Sequence, residues 1–214
     1  MAVRRRTAIN SDQSHETANE IIIGGDLLRK GALSDWLRNR WVPLEVEIGS
    51  GQGRFLCQLA KHSPDTRFLG VDLDLARCRI ACERVRRMHL ANIRIINIEA
   101  HDFFQSYVLS NSLKAVHVYF PTPYPHSIGL SSRLLTEDFL QEVYRALISG
   151  GAFRLVTDHT EYFNQICMNI RKMRWWNTTW HPPLPRAEDG LIIGTPCELR
   201  FGTEERALEL HLIK

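Results

Sequence analysis

The 214-residue sequence lacks the long apolar runs and paired cysteines that would indicate a membrane protein or a disulfide scaffold. No run reaches the ~18 consecutive apolar residues of a membrane-spanning helix, and the opening MAVRRR lacks the apolar stretch of a signal peptide. The five cysteines form no C-x-x-C pair, and Cys78 and Cys82 have no histidines alongside that would complete a zinc site. We therefore expect a cytoplasmic protein with reduced thiols, no bound metal and no membrane association.

A strong excess of charge is also absent, since the net charge is only +3. The positive side chains are nevertheless clustered along the chain. Clusters of this kind suit the phosphate backbone of a nucleic acid, and ordinary solvated helix faces are the alternative. The members are Arg4 to Arg6, then Arg77, Arg79, Arg84, Arg86, Arg87 and Arg94, and finally Arg171, Lys172 and Arg174.

Strand and helix patterns alternate along most of the sequence. Strands are predicted over 44–48, 67–71, 93–98, 114–120 and 152–157, and helices over 26–40, 53–62, 74–90, about 101–109, 136–147 and 160–174. Nearly continuous apolar strands such as AVHVYF are typical of a parallel sheet covered on both faces, and the tail RALELHLIK predicts a final antiparallel strand. We predict an α/β fold with a doubly wound, mostly parallel sheet, comprising an N-terminal extension over 1–25, partly flexible, and one domain over 26–214.

The most informative stretch is LEVEIGSGQG, residues 44–53, where a β-branched run ends in a glycine-rich turn before a helical pattern. Gly49, Gly51 and Gly53 would let the backbone approach a ligand closely, and the following helix would present unpaired N–H groups. The next predicted strand ends in Asp72, which is placed to accept hydrogen bonds from a ribose diol. The unit therefore predicts a ligand that carries a ribose.

Glu47, on the strand just before the turn, bears on the identity of that ligand. A dinucleotide fingerprint has the spacing G-x-G-x-x-G, whereas this chain has G-x-G-x-G. A carboxylate would repel a pyrophosphate but attract the ammonium group of S-adenosylmethionine. We therefore predict S-adenosylmethionine as the cofactor, with a nicotinamide dinucleotide and a purely structural turn as alternatives.

Polar residues at the other strand ends extend the predicted site. Glu99 and Ala100 follow the third strand, where a carboxylate and a backbone N–H could read an adenine edge. Asp158 follows the fifth strand, where it has either a role in the site or a role as N-cap of the next helix. Asp102 is interpreted as a partner of a helix dipole, and His117 as a hydrogen-bonded core histidine.

From about residue 42 onward, the order and spacing of short motifs resemble those of the bacterial tRNA (guanine-N7-)-methyltransferases. The family pattern P-x-x-x-E-I-G-x-G-x-G-x-F-L is matched by PLEVEIGSGQGRFL. Later blocks match F-x-G-[IV]-[ED] with FLGVD, N-[VI]-R with NIRI, F-P-D-P-W with FPTPY, G-G followed by T-D with GGAFRLVTD, and T-K-F-E with TPCE. The resemblance implies a Rossmann-like class I fold and methylation of guanine N7 in tRNA by S-adenosylmethionine.

Carried over position by position, the resemblance implies two sets of site residues. Residues that would hold the cofactor are Glu47, Gly49, Gly51, Gly53, Asp72, Glu99, Ala100 and Thr122. Residues that would face the target guanosine are Thr122, His126, Asp158, Thr195 and Glu198. Among the second set, Thr122 and Asp158 stand at the family's catalytic positions.

The substrate-side motifs depart from the family pattern. Thr122 occupies the position of the aspartate in F-P-D-P-W, and His126 stands where a lysine is expected. The family's basic stretch, K-K-R-H-H-K-R-R in style, is here HSIGLSSR, which keeps only His126 and Arg133. Pro196 and Cys197 replace the central K-F of T-K-F-E.

These departures leave several functions open. Guanine N7 already carries a lone pair, so its methylation needs no general base, and losing the aspartate predicts turnover slower by about 10²–10³. Losing cations predicts weaker binding to tRNA. The alternatives to a tRNA methyltransferase are a methyltransferase for another RNA or a small molecule, and a catalytically weak relative that binds cofactor or RNA.

Overall fold

The computed structural model describes residues 22–23, 32–39, 41–123, 133–173, 176 and 208–214. Within these residues, one sheet contains the strands β1 (Ile22–Ile23), β2 (Leu44–Ile48), β3 (Arg67–Asp72), β4 (Ile93–Asn97), β5 (Leu113–Tyr119), β6 (Leu147–Thr157) and β7 (Leu208–Ile213). The helices are α1 (Ala32–Arg38), α2 (Arg54–His62), α3 (Leu75–Arg87), α4 (Ala100–Tyr107), α5 (Glu137–Ala146) and α6 (Thr160–Lys172).

The strand order is β1-β4-β3-β2-β5-β6-β7, and every pair is parallel except β6 with β7. The predicted doubly wound sheet with an antiparallel C-terminal strand is confirmed. From β2 the chain fills the sheet in one direction through β3 and β4, and in the other direction through β5 and β6. In open sheets of this kind, ligands bind outside the carboxyl ends of the strands at the point where the order reverses.

Apolar layers cover both faces of the sheet. On one face, Leu44, Val46 and Ile48 pack in the same cluster as residues of α4, α5 and α6. On the other face, Phe55 of α2 and Val85 of α3 pack with residues of β3 and β4. This double cover is the reason that the central strands β2 and β3 are buried on both faces.

Two strands, β6 and β1, differ most from the predicted elements. β6 begins at Leu147 instead of 152 because Leu147 pairs with Leu113, and a register shift follows before Ala115 pairs with Ala152. β1, which was not predicted, contributes two residues beside β4, too few to give a hydrophobic period. In the described part of the chain no helix combines the length and apolar character needed to cross a membrane.

A network of buried polar side chains lies on the face of the sheet that α2 covers. Nε2 of His117 lies 3.0 Å from Oε2 of Glu45, and Nδ1 lies 3.0 Å from the hydroxyl of Tyr119. Nζ of Lys114 lies 2.8 Å from the other Glu45 oxygen. Burial lowers the pKa of His117 below 6.5, so its neutral ring donates from Nε2 to Glu45 and accepts at Nδ1 from Tyr119. The prediction of a hydrogen-bonded core histidine is confirmed.

The pairing of Glu45 with His117 and Lys114 predicts a specific dependence of the free energy of unfolding on pH. Burial alone would raise the pKa of the Glu45 carboxyl, but its pairing with His117 and Lys114 lowers it from 4.5 to about 2. A pKa lowered by folding stabilises the protein above pH 4.5, and this contribution is lost as the pH falls toward 2. We expect Glu45→Gln to cost about 3 kcal/mol in free energy of unfolding at about pH 5 and progressively less down to about pH 3.

Urea unfolding of the wild type and Glu45→Gln across this range measures that difference directly. A difference that does not change with pH would show that the carboxylate charge contributes nothing, and that the cost comes from hydrogen bonds that the amide cannot reproduce.

Candidate cofactor and substrate site

The predicted site residues that the structure describes follow five adjacent strands and meet at the carboxyl edge of the sheet. Glu47 is the second-last residue of β2, and the glycines follow that strand. Asp72 is the last residue of β3, and Glu99 follows β4. Thr122 and Asp158 follow the neighbouring strands β5 and β6. The ends of these last two strands are tied together, since Phe120 N–H donates to Val156 O at 2.7 Å.

The turn after β2 has, at every second residue, the left-handed backbone that only glycine adopts freely. The φ angles of Gly49, Gly51 and Gly53 are +72°, +54° and +67°. A Cβ at Gly49 would meet nothing within 4 Å, which leaves space above the turn, whereas a Cβ at Gly53 would lie 3.0 Å from Cβ of Ala81. The turn is therefore open toward the carboxyl edge and closely packed against α3.

Asp72 lies beside this turn and also stabilises its backbone through hydrogen bonds. Its Oδ2 accepts a hydrogen bond from Gly51 N–H at 2.7 Å, and its Oδ1 accepts one from Asp74 N–H at 2.8 Å. Each carboxylate oxygen can accept a second hydrogen bond, so both can still receive a ligand hydroxyl. The sequence predicted a ribose-binding role for Asp72 but not these two backbone contacts, and the contact with Gly51 depends on how β2 and β3 lie beside each other.

Glu47 is buried without a hydrogen-bond partner at one oxygen. The residue is 4% exposed, and among the described residues nothing hydrogen-bonds to its Oε2. Burial, and then the nearby charge of Asp72, raise the pKa of the Glu47 carboxyl well above 4.5. A buried carboxyl of this kind has a strong electrostatic preference for a cation that enters the site.

Glu99 is the N-cap of α4. Its Oε2 accepts a hydrogen bond from Asp102 N–H at 3.1 Å, and Ala100 is buried at the start of the helix. Asp102 is exposed in the first turn of α4, as its interpretation as a helix-dipole partner predicted. The cap fixes where the Glu99 carboxylate stands relative to β3 and β4.

At the end of β6, the cap of α6 is His159 and not Asp158. Nδ1 of His159 accepts a hydrogen bond from Tyr162 N–H at 3.1 Å, and Thr157 Oγ1 accepts one from His159 N–H at 3.2 Å. The N-cap alternative for Asp158 is therefore wrong, and its exposed side chain lies at the carboxyl edge. Thr122 is also exposed, just after Phe120 turns the chain with a φ of +50°.

Some predicted features lie outside the described residues. They are His126, Thr195 and Glu198 of the substrate set, Arg174 of the third basic cluster, the segment 1–21 with its arginine cluster, and residues 24–31 and 40 of the predicted extension and first helix.

Two neighbours of the site were missed from the sequence. Leu73 follows Asp72 directly and is 68% exposed at the carboxyl edge, and its place after the predicted acid was the available signal. Ser50 lies over Gly70, where a Cβ would come within 2.7 Å of Ser50 Oγ. No sequence pattern indicates this second contact, because it joins the turn to a neighbouring strand.

The buried cysteines behind the turn are not nucleophiles. Cys57, Cys78 and Cys82 are free thiols, and burial raises their pKa values to about 12, about 12 and about 11. Since the thiolate is the reactive form, these side chains act as small core residues.

The arginine clusters are only partly available to a ligand. Arg84 Nε donates to Gln52 O at 3.1 Å, and Arg94 donates to backbone carbonyls and lies over Trp36. Arg77 and Arg79 are exposed near the start of α3, which is the end at the carboxyl edge. Lys172 lies at the other end of α6, about 18 Å from its start, and pairs with Glu137.

Comparisons with known proteins agree with this geometry. A family described as a putative methyltransferase matches residues 42–188. A tRNA (guanine-N(7)-)-methyltransferase of Rubrobacter xylanophilus is 37% identical over 143 residues, which are 66% of this chain and 63% of that protein. A protein of the same name from Oceanobacillus iheyensis is 29% identical over 94% of both chains.

The chain spans less than two thirds of the length of some of these relatives, among them 63% of the Rubrobacter protein and 45% of one from Thermus thermophilus. Among solved structures, the 16S rRNA methyltransferase KamB superposes with a TM-score of 0.60 and 17% identity, over 84% of this chain and 92% of that one. That likeness concerns the fold alone. The family match over residues 42–188 shows that the chain belongs to the putative methyltransferase family.

Proposed function

We propose that this protein is an S-adenosylmethionine-dependent tRNA (guanine-N7-)-methyltransferase. The observation that carries the proposal is the glycine turn of β2, where the buried Glu47 oxygen lacks a partner among the described residues and Asp72 organises the backbone. The relatives that bear this name support the choice of tRNA as substrate.

The residues at the carboxyl edge fit this cofactor. Glu47 would pair with its ammonium group, which supplies the cation that a buried carboxyl favours. Asp72 would accept hydrogen bonds from the ribose, and Leu73 would cover apolar ring surface. Glu99 and the N–H of Ala100 would read the adenine edge. The space above Gly49 would let the ligand lie directly on the turn.

The proposed reaction depends on the alignment of the reacting atoms and needs no general base. When bound, S-adenosylmethionine would supply a methyl group on a sulfonium. The lone pair of guanine N7 would form the new N–C bond while the C–S bond breaks, and S-adenosylhomocysteine would leave as the neutral thioether. The protein must hold N7 in line and stabilise a purine that becomes cationic. Asp158, exposed at the end of β6, would supply negative charge near that purine, and Thr122, His126, Thr195 and Glu198 would complete its surroundings.

A second candidate function is a methyltransferase acting on a different RNA or a small molecule. The identity of residue 122 favours this function, because Thr122 has a neutral hydroxyl at the position of the aspartate in the F-P-D-P-W pattern that the sequence resembles. Methyl transfer from labelled S-adenosylmethionine to unmodified bulk tRNA, with digestion to nucleosides, separates the two. Label in 7-methylguanosine supports the proposal, whereas cofactor binding without label in tRNA would favour the second function.

Thr122→Asp is expected to increase kcat on tRNA by about 10- to 100-fold, because a carboxylate at this position would help orient and stabilise the purine. The side chain is exposed, so the free energy of unfolding should change by less than about 0.5 kcal/mol. Thr122→Asn is the matched control of equal shape without charge and should give no such gain. Equal activity of the Asp and Asn variants would contradict a role for charge here.

A further inference from the structure

Arg133 is a buried arginine at the start of the segment that leads into α5. In the sequence it is one of two basic residues remaining in the stretch that resembles the basic segment of the family. Its side chain is only 2% exposed. An arginine that neutralises an RNA phosphate must reach solvent, so this burial points to an internal role.

The guanidinium of Arg133 is held by three side chains of the first two turns of α6. Nη1 donates to Oε1 of Gln165, and Nη2 lies 3.4 Å from Oε1 of Glu161. The guanidinium carbon lies 4.9 Å from the centre of the Tyr162 ring. A planar, forked cation suits such a set of contacts, and a lysine ammonium cannot reproduce them together.

The same two segments are joined at a second point. Leu135 N–H donates to the Tyr162 hydroxyl at 3.0 Å, and both residues are fully buried. Asn169 Nδ2 donates to Leu135 O at 3.4 Å. We call Arg133, Leu135, Glu161, Tyr162 and Gln165 the Arg133 clamp. It makes residues 133–135 and the first turns of α6 one packed unit.

Along the sequence, each part of the clamp follows one of the two candidate substrate segments. On one side, α6 follows Asp158 and its cap His159 directly. On the other side, the chain that reaches Arg133 comes from Thr122 at the end of β5. Since β5 and β6 are neighbours, a change in the position of α6 would alter how Asp158 stands relative to Thr122.

We propose that Arg133 is a positioning residue for methyl transfer, which holds the start of α6 so that Asp158 keeps its place opposite the end of β5. This inference rests on the proposed function, because its kinetic test measures methyl transfer to tRNA. Arg133 would not contact RNA. It would affect kcat, because it keeps Asp158 in position.

Arg133→Met, which keeps the length of the side chain and removes the fork and charge, is expected to lower kcat about 10- to 100-fold, because small misplacements of reacting groups have effects of this size. The KM for tRNA should stay within about twofold, and the slope of log affinity against log salt should be unchanged. Glu161→Gln, an exposed partner, should also lower kcat although it removes a negative charge that would repel RNA.

A direct phosphate contact would give the opposite pattern. It would reduce the steepness of the salt slope by about 0.7–0.9, raise KM, leave kcat intact, and be restored by Arg133→Lys. That result would overturn the proposal, as would a lower melting temperature with kcat and KM both unchanged. Lys61→Met is the matched control, an exposed cation in the last turn of α2 at the opposite edge of the sheet, and should change none of these quantities.

Hydrogen exchange tests the clamp without any substrate. Arg133→Met should speed exchange at the amides of Leu135 and Tyr162, while the amide of Cys78 in α3 serves as the reference. If the wild type transfers no methyl group to tRNA, the proposed function fails and this exchange pattern still decides the clamp. Unchanged exchange at Leu135 and Tyr162 would overturn it.

Discussion

Replacing Glu47 with glutamine is expected to weaken binding of S-adenosylmethionine by about 30- to 100-fold, and to increase the stability of the cofactor-free protein. A charge-assisted contact is worth about 2–3 kcal/mol, and glutamine keeps the shape of the side chain while it removes the charge. The gain in stability follows because burial raises the pKa of the Glu47 carboxyl, so above pH 4.5 folding must keep a proton on this group, and glutamine removes that cost.

The pH dependence of binding should change in the same variant. Burial raises the pKa of Glu47, so the free protein carries a proton there that must leave when the ammonium group binds. Since the bound state holds fewer protons, affinity should rise with pH below the raised pKa, by up to about tenfold for each pH unit. Calorimetric titration from about pH 5.5 to 7.5 should show this rise in the wild type and a nearly flat response in Glu47→Gln.

Glu45→Gln is the matched control, because Glu45 is a buried acid on the same strand and faces the same side of the sheet. Its carboxylate is paired with His117 and Lys114, so its loss should lower the free energy of unfolding and leave cofactor affinity within about twofold. Equal losses of affinity in the two variants would mean that Glu47 acts through general stability and not through the ligand.

Asp72→Ala is expected to reduce affinity for the cofactor by about 100-fold or more, the second large effect. The substitution removes the proposed ribose acceptor and leaves the N–H groups of Gly51 and Asp74 without their present partner, so the glycine turn loses its support. Equilibrium binding of S-adenosylhomocysteine to the two proteins measures the change without turnover.

Asp74→Ala separates this effect from damage to α3. Asp74 caps that helix by accepting hydrogen bonds from the N–H groups of Ala76 and Arg77, and its loss should cost about 1 kcal/mol of stability. Cofactor affinity should stay close to the wild-type value. An equal loss of affinity in the Asp72 and Asp74 variants would contradict the assignment of Asp72 to the ribose.

Local patterns predicted the central part of the fold well. β2 and β3 have the predicted starts, because continuous apolar runs and the glycine turn are strong signals over short distances. The sequence also predicted the glycine-rich turn, and the structure adds that all three glycines have positive φ. These features depend on residues close together in the sequence, which is the reason that a single sequence reveals them.

Contacts between distant segments were not predictable in the same way. The hydrogen bond from Gly51 N–H to Asp72 joins residues 21 positions apart, and the clamp joins Arg133 to residues about 30 positions away. The cap of α6 was missed because a histidine ring nitrogen accepts the hydrogen bond that aspartate usually accepts at that position. The sequence predicted which residues lie at the carboxyl edge, and the packing of distant segments decides what they contact.

The most direct test of the proposed reaction is methyl transfer to two tRNA transcripts that differ in one atom of each guanine. One transcript contains guanosine, and the other contains 7-deazaguanosine, in which carbon replaces the N7 that would be methylated. The proposed function predicts 7-methylguanosine in the first transcript and no incorporation in the second. Equal incorporation into both would contradict methylation at N7, and no incorporation into either, by protein that binds the cofactor, would contradict tRNA as the substrate.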